Sequence, residues 1–436
     1  MVFTARFYGF LVLGTAAALP LAMLGQQDAA LGLVGVYDLL LLGLAVLDSF
    51  RTRSQRLSIT RSLEARLSIG RDNAIDLVVT TQNRPTRFHI QDHHPTTHLN
   101  ITGLPLSDSL PPHTTQPYRY TAHPTRRGVL HWGDLHVRQR SPWGLVWHSW
   151  RVAQAAQTQV YPDLVGLREL SIRLTLQAAG NLRRNRRWGI GTEFAELRDY
   201  GAGDDLRLLD WKATARRGQP LVRVLEPEQE QTLVILLDRG RLMTAQVQGM
   251  QRFDWAINAA LALAVAGLHR GDRVGLGVFD RSVHTWIPPQ RGQSHLSTLI
   301  EAITPLEPVL EEPDYMGAVT TVLRHQTRRA LVVILTDLVD AIASSELLAA
   351  LARLSPRYLP FGVALRDPLM DQQAAAAALT VPEAFNRSVA LDLLAQRRLA
   401  FAQVKQQGAL VLDAPAPQIQ TDLVDAYLRL KARNRL

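Results

Sequence analysis

Cysteine is missing altogether from the 436 residues. That excludes disulfides, zinc-thiolate sites, iron–sulfur clusters and cysteine nucleophiles, and gives no support to an oxidising compartment. Lysine is nearly missing: Lys212, Lys405 and Lys431 are the three, so 45 of the 48 basic residues are arginines. The formal charge of +9 would ordinarily point to nucleic acid or an anionic membrane surface. An arginine skew follows from genome composition as readily as from phosphate binding, so it decides little. No phosphate loop of the Walker type occurs, and Gly275-Leu276-Gly277 lies in a strand-like run without the strand–turn–helix context of a dinucleotide fingerprint. The chain is therefore not expected to hydrolyse ATP itself.

What is abundant is apolar surface. Hydrophobic residues make up 47% of a length suited to two or three domains. Two apolar runs, 7–24 and 29–47, approach the length of about 20 residues that crosses a hydrocarbon core, and the polar turn Gly25-Gln26-Gln27-Asp28 separates them. They predict a transmembrane helical hairpin. A cleaved signal peptide competes for the first run, with Arg6 ahead of Ala16, Ala17 and Ala18, but the immediate second run argues against it. Arg6 precedes the first run and Arg51, Arg53 and Arg56 follow the second, while the turn carries no positive charge; this asymmetry puts both ends in the cytoplasm. Asp38, inside the second run, is costly there unless it faces a partner membrane protein or, protonated, hydrogen-bonds within the hairpin.

From 57 to 162 the pattern turns to short alternating segments, such as 74–80 and 129–137, broken by Pro95, Pro105, Pro111-Pro112, Pro117 and Pro124. This is the pattern of an all-β, immunoglobulin-like sandwich. Nine of the 13 histidines fall between His89 and His148. Spacings such as His89, His93, His94 and His98 would matter on a helix, but in an extended segment holding Pro95, with Asp92 as the nearby acid, they predict a solvated loop rather than a metal site.

Residues 163–231 read as a charged linker and a signature module. The run RRNRRW at 183–188 is basic enough to touch phosphates, with Trp188 available for stacking, yet such a run is more often a solvated linker, and nucleic acid is not expected as a partner. The module follows as Arg198-Asp199-Tyr200, Gly203-Asp204-Asp205, Arg207, Asp210-Trp211-Lys212 and Ala215-Arg216. Gly201 and Gly203 permit a tight turn presenting Asp204 and Asp205, with Arg207, Lys212, Arg216 and Arg217 close enough to compensate them. Internal ion pairing is expected, with Trp211 anchoring the segment apolarly; the competing use of the same residues is a partner-docking face. An acid/base pair such as Asp204 with Asp210 has no nucleophile beside it.

This order of residues resembles the signature of the bacterial domain of unknown function 58 (DUF 58) family, and the stretch from Arg126-Arg127-Gly128 through Ser141-Pro142-Trp143-Gly144-Leu145 is similar to that family's β domain. The resemblance implies a two-pass protein of the bacterial inner membrane, carrying a von Willebrand factor A-like domain on its cytoplasmic side and working beside a MoxR-type AAA+ ATPase.

From 232 to 436, strands and helices alternate: 233–238, a helix near 252–269, strands at 273–279 and 283–287, helices near Leu296 and Tyr315, a strand at 330–336, then 359–365 and 409–412. The pattern predicts a doubly wound, mostly parallel α/β sheet, with helices at 371–379, 382–407 and 422–433 covering it. The basic end, Lys431 to Arg435, is free to touch anionic lipid or to fray. Asp238 and Asp337 end two central strands, where open α/β sheets bind ligands. The von Willebrand A-like resemblance implies Mg²⁺ there, held by an Asp-x-Ser-x-Ser turn, a threonine and a second aspartate. Here Gly240 and Leu242 occupy the hydroxyl positions, and the later loop offers Asp314. The candidate metal residues are thus Asp238, Asp337 and Asp314, for a weak Mg²⁺ at most, against a vestigial site in which Arg239 or Arg241 neutralises the carboxylates. The function expected is a non-enzymatic protein-binding adaptor or assembly factor with no small-molecule substrate. The alternative is a metal-dependent hydrolase using Asp204, Asp205, Asp238 and Asp337.

Overall fold

A computed structural model describes residues 2–181, 193–201, 204–226, 231–338 and 345–433. The arginine run at 183–188, Gly203 and the last three residues lie outside them. The chain divides into two compact units, Met1–Tyr161 and Pro162–Leu436.

In the first unit, helices α1 (Ala5–Met23) and α2 (Gln27–Arg53) are both long and apolar enough to cross a membrane. The core helix of a soluble domain would be largely buried, whereas burial in α1 is confined to Phe7, Gly14 and Ala18. The helices touch closely at Gly14, where a Cβ would lie 2.3 Å from the Tyr37 ring, and the Tyr37 hydroxyl donates to the Phe10 carbonyl at 3.0 Å. Asp38 finds no acceptor or donor for its buried Oδ1 among the described residues, so at that oxygen the hydrogen bond expected within the hairpin is not made.

Three sheets follow. One orders Val2–Phe3, Val146–Val152, Leu135–Arg140, Thr86–Asp92 and Leu106–Leu110; the second orders Ser58–Ser62, Asn73–Thr80, Thr115–Pro124 and Leu99–Thr102; the third orders Arg66–Ser68, Ala156–Tyr161 and Gly128–Trp132. Alternation along Asn73–Thr80 buries Ile75, Leu77 and Val79, as a half-buried strand requires. Asp92 is turned inward, salt-bridged to Arg61 at 2.6 Å and bonded by the Tyr120 hydroxyl at 2.5 Å, and burial raises its pKa. His93, His94 and His98 do lie between strands, but His89 belongs to a strand and bonds Ser107. The hairpin is fastened to the turn at 141–145. The buried Asp48 of α2 accepts from the amides of Trp143 (3.1 Å) and Leu145 (3.4 Å), and Thr4, the N-cap of α1, donates its hydroxyl to the Gly144 carbonyl at 2.6 Å.

The second unit holds a six-stranded sheet of β1 (Thr232–Asp238), β2 (Arg273–Phe279), β3 (Val283–Gln290), β4 (Leu331–Thr336), β5 (Leu359–Arg366) and β6 (Leu410–Pro415). The order is β3-β2-β1-β4-β5-β6, parallel except for the edge strand β3. Successive residues of β1 feed opposite faces: Leu233, Ile235 and Leu237 enter one core with α3 (Leu164–Asn181), α5 (Arg252–His269), α6 (Gln293–Ile303) and α11 (Ile419–Ala432). Val234 and Leu236 enter the other with α7 (Tyr315–His325), α8 (Ser345–Leu354) and α10 (Val381–Gln406). Parallel strands covered on both faces read as continuous apolar runs for this reason. Helix α4 (Trp211–Arg217) belongs to the signature module, and α9 (Pro368–Ala375) follows β5. The C-terminal helix does not fray at Lys431, which bonds the buried Asp272 together with Tyr427.

Candidate functional site

Four of the parallel strands deliver an aspartate at or just past their carboxyl ends, Asp238, Asp280, Asp337 and Asp367, and β6 carries Asp413 two residues before its end. In an open α/β sheet this is where a ligand would sit. Each of these carboxylates is already engaged by the protein.

Asp238 is fully buried, accepting from the Gly240 amide (2.7 Å), the Thr336 hydroxyl (2.6 Å) and the Tyr315 hydroxyl (3.2 Å). Burial pushes its pKa up to about 6 despite those donors, with Asp337 nearby adding to the rise. Asp337 takes the Arg252 guanidinium at 2.8 Å on one oxygen, and Arg397 at 2.8 Å with the Leu338 amide at 2.8 Å on the other. Arg397 continues to Asp413 (3.0 Å), which also pairs with Arg366 (2.7 Å), itself bonded to Asp371 at 2.9 Å. For Arg397, burial works against the charge but the fields of Asp337 and Asp413 outweigh it, and the net pKa shift is upward.

The expected neutralisation of these carboxylates is therefore corrected in its agents. Arg239 pairs with Asp280 at 2.8 Å and Arg241 with Glu312 at 2.6 Å; the arginines on Asp337 come from helices α5 and α10. Burial raises the Asp280 carboxyl, but Arg239, the Ser282 amide and His284 bring it below the ordinary range. Asp314 is spent as the N-cap of α7, accepting from Gly317 at 2.7 Å.

This donor set does not fit a divalent cation. Both oxygens of Asp337 face guanidiniums, and no group of three or more metal-ligating side chains forms among the described residues. Position 240 has no room for a hydroxyl either: a Cβ there would stand 2.8 Å from the Glu311 carbonyl oxygen and 3.0 Å from Asp238 Oδ1. The hydroxyl partners of Asp238 arrive instead from Tyr315 and Thr336. Thr336 is visible in the sequence one residue before Asp337; Tyr315, Arg252 and Arg397 carry no local signal.

The signature module folds as two antiparallel strands, Glu193–Asp199 and Leu221–Glu226, enclosing a short 3₁₀ turn (Leu206–Leu208) and α4. Arg198 grips Asp204 with two nitrogens, at 2.9 and 2.5 Å, and the Gly201 amide bonds the same carboxylate at 2.8 Å. Those bonds, Arg198 first, hold the Asp204 carboxyl below its usual pKa. Asp205 caps the 3₁₀ turn. Asp210 caps α4 through the Ala213 amide and accepts from Arg223 at 2.8 Å, and its pKa too is lowered, chiefly by the cap. Asp199 is exposed at the end of its strand. The compensating cations are thus Arg198 and Arg223, whereas Arg207, Lys212, Arg216 and Arg217 stand exposed with no carboxylate in reach among the described residues. Trp211 does not anchor the segment: it is 72% exposed, and Leu206 is 64% exposed.

Residues 196–406 match the family described as protein of unknown function DUF58. This DUF58 match covers the module and most of the sheet. An uncharacterized protein of Mycobacterium tuberculosis, Rv1480, is 28% identical over 182 residues, 41% of this chain and 56% of the relative. The chain thus spans about half the length of the curated relatives it matches. The uncharacterized protein YeaD of Bacillus subtilis is 26% identical over 106 residues, 24% of each chain. Among solved structures, the conserved hypothetical protein BatB of Bacteroides thetaiotaomicron is similar with a TM-score of 0.31 and 14% identity, covering 46% of this chain and 99% of that one. An aerotolerance-related membrane protein of Bacteroides fragilis gives a TM-score of 0.29 and 15% identity over 44% of this chain and 94% of that one.

Proposed function

We propose that this protein is a non-enzymatic adaptor or assembly factor held in the bacterial inner membrane by its two-helix hairpin, whose cytoplasmic α/β unit, read as von Willebrand A-like, docks a protein partner. From the family resemblance the partner is a MoxR-type AAA+ ATPase. One observation carries the reading: the signature module spends Asp204 and Asp210 on internal ion pairs while Trp211 and Leu206 are exposed and the cations Arg207, Lys212 and Arg216 have no carboxylate partner among the described residues. A bare tryptophan among unpaired cations fits an acidic protein surface, where aromatic and arginine anchors concentrate binding energy. The sheet end supports the same reading, since Asp238, Asp280, Asp337 and Asp413 are bonded to hydroxyls or arginines and no group of three or more metal-ligating side chains forms among the described residues. The hydrolase alternative has less to draw on, because Asp204 is held by Arg198, Asp205 caps a 3₁₀ turn, and the neighbouring Asp238 and Asp337 are sealed and bonded to hydroxyls and arginines respectively.

The test is capture of the ATPase from detergent-solubilised membranes by the full chain. Trp211→Ala, and separately Lys212→Glu with Arg216→Glu, should reduce recovery at least about tenfold, the scale of a lost interface anchor. Asp238→Asn, at a site closed to solvent, should leave recovery unchanged. Equal capture by all variants would remove the docking face.

A further inference from the structure

A second concentration of unpaired positive charge lies in the first unit, in a cleft of about 530 Å³ beside the foot of the hairpin. Arg6, Arg87 and Arg140 line it, and Asp108 is the carboxylate in the lining. That carboxylate is turned to its own partners, the Tyr118 hydroxyl at 2.5 Å and the Ser109 amide at 2.7 Å. None of the three guanidiniums has an ion-pair or hydrogen-bond partner among the described residues, and the Nε of Arg140 is buried without an acceptor. The Arg140 side chain lies close against Gly144, where a Cβ would stand 3.0 Å from that Nε. Burial, with Arg6 and Arg87 close by, lowers its pKa. Like charges gathered without a counter-ion destabilise one another, and an anion accepting from several guanidiniums relieves this.

The position says which anion. Arg6 sits in the first turn of α1, whose 19 residues rise about 28 Å, close to the thickness of a hydrocarbon core. The same cleft includes Gly144, part of the turn that Thr4 and Asp48 clasp. With α1 across a bilayer, the cleft opens at the depth of the lipid headgroups.

We propose that the Arg6–Arg87–Arg140 cleft binds a phosphate group, namely the phosphodiester of an anionic phospholipid in the leaflet that α1 enters. Arginine suits the role because its planar fork meets phosphate oxygens two at a time. The site is independent of the docking face, which lies in the other unit.

The full chain in neutral detergent, titrated with short-chain phosphatidylglycerol, phosphatidylcholine and inorganic phosphate and followed by native mass spectrometry, tests the assignment. Phosphatidylglycerol should bind saturably, at least about tenfold tighter than phosphatidylcholine, and more weakly as salt rises. Arg87→Gln and Arg140→Gln should each weaken it about tenfold or more, the scale of a lost charge-assisted bond. Arg140→Lys should retain part of the affinity, and Arg324→Gln, exposed in the last turn of α7, all of it. Because Arg87 is exposed, its variant keeps the test sound even if Arg140→Gln disturbs the turn. Equal binding of the two lipids, or indifference to Arg87→Gln, overturns the proposal. Inorganic phosphate binding as tightly as phosphatidylglycerol, and lost in the same variants, overturns the lipid as the source.

Discussion

Asp238 decides between two uses of the sheet end. A metal ligand must be ionised and open to the ion; this carboxylate is sealed from solvent and bonded to two hydroxyls and an amide. Its folded pKa of about 6 lies above the 3.8 of an unperturbed carboxyl. The folded state therefore holds the proton more tightly than the unfolded chain, so the stabilising effect is complete below about pH 3.8 and is lost as pH rises through about 6. The difference corresponds to roughly 3 kcal/mol. Asp238→Asn, which stays neutral and can still accept from Gly240, should abolish that dependence. The prediction is that the wild-type unit loses up to about 3 kcal/mol relative to the variant as pH rises through this range, read from urea midpoints at stepped pH. Parallel curves would show that the carboxyl titrates in the folded unit as it does in the unfolded chain.

At the level of elements, the charges bind helices to strand ends. Arg397 of α10 lies across Asp337, just past β4, and Asp413 of β6, and is itself 3% exposed. Removing one partner of a buried pair leaves the other charge uncompensated, at a cost of about 3–5 kcal/mol. Asp337 keeps Arg252, which places Arg397→Ala near 3 kcal/mol, about the lower end of that range. Arg366→Ala, at a more exposed pair, should cost about 1 kcal/mol. Hydrogen exchange at the amides of α10 and β6 would show the ordering, and equal protection in both variants would deny the network its clamping role. The sequence discloses the strands here well, since β1 and β4 are unbroken apolar runs and their terminal aspartates stand in plain view. It discloses the partners poorly, because Arg252 and Arg397 lie far from Asp337 along the chain and look like any other arginine on a helix. Helix α3 is similarly hidden: Leu167, Leu170 and Leu174 form its buried stripe, but the stretch carries arginines and precedes a basic run, so it reads as linker. The module's charge balance is legible, whereas the choice of Arg198 and Arg223 over Arg207 and Lys212 follows from a hairpin register that residue spacing does not give. Trp211 is the instructive miss, as a tryptophan beside a helix cap suggests burial and only the fold shows it bare.

For the whole molecule, the question is which side of the membrane carries the soluble units. The hairpin's exposed apolar surface and its clasp on the 141–145 turn make anchoring and folding one structure in the first unit: Asp48 and Thr4 reach that turn only when both helix ends lie on the same side. Arginines at those ends, and none in the turn at 25–28, are the basis on which the proposed function places the ends in the cytoplasm, and that placement is a prediction. The absence of native cysteine makes the orientation directly measurable, because any single introduced thiol is the one that reacts. Gln26→Cys, exposed in the connecting turn, should be labelled by a membrane-impermeant maleimide in intact spheroplasts. Glu301→Cys, exposed on α6, should be labelled only after lysis. The opposite pattern would put the docking face outside the cytoplasm, away from any ATP-driven partner, and with it the proposed function would fall, while the phosphate cleft, formed by Arg6 of the hairpin with Arg87 and Arg140 of the β strands, would face the other leaflet.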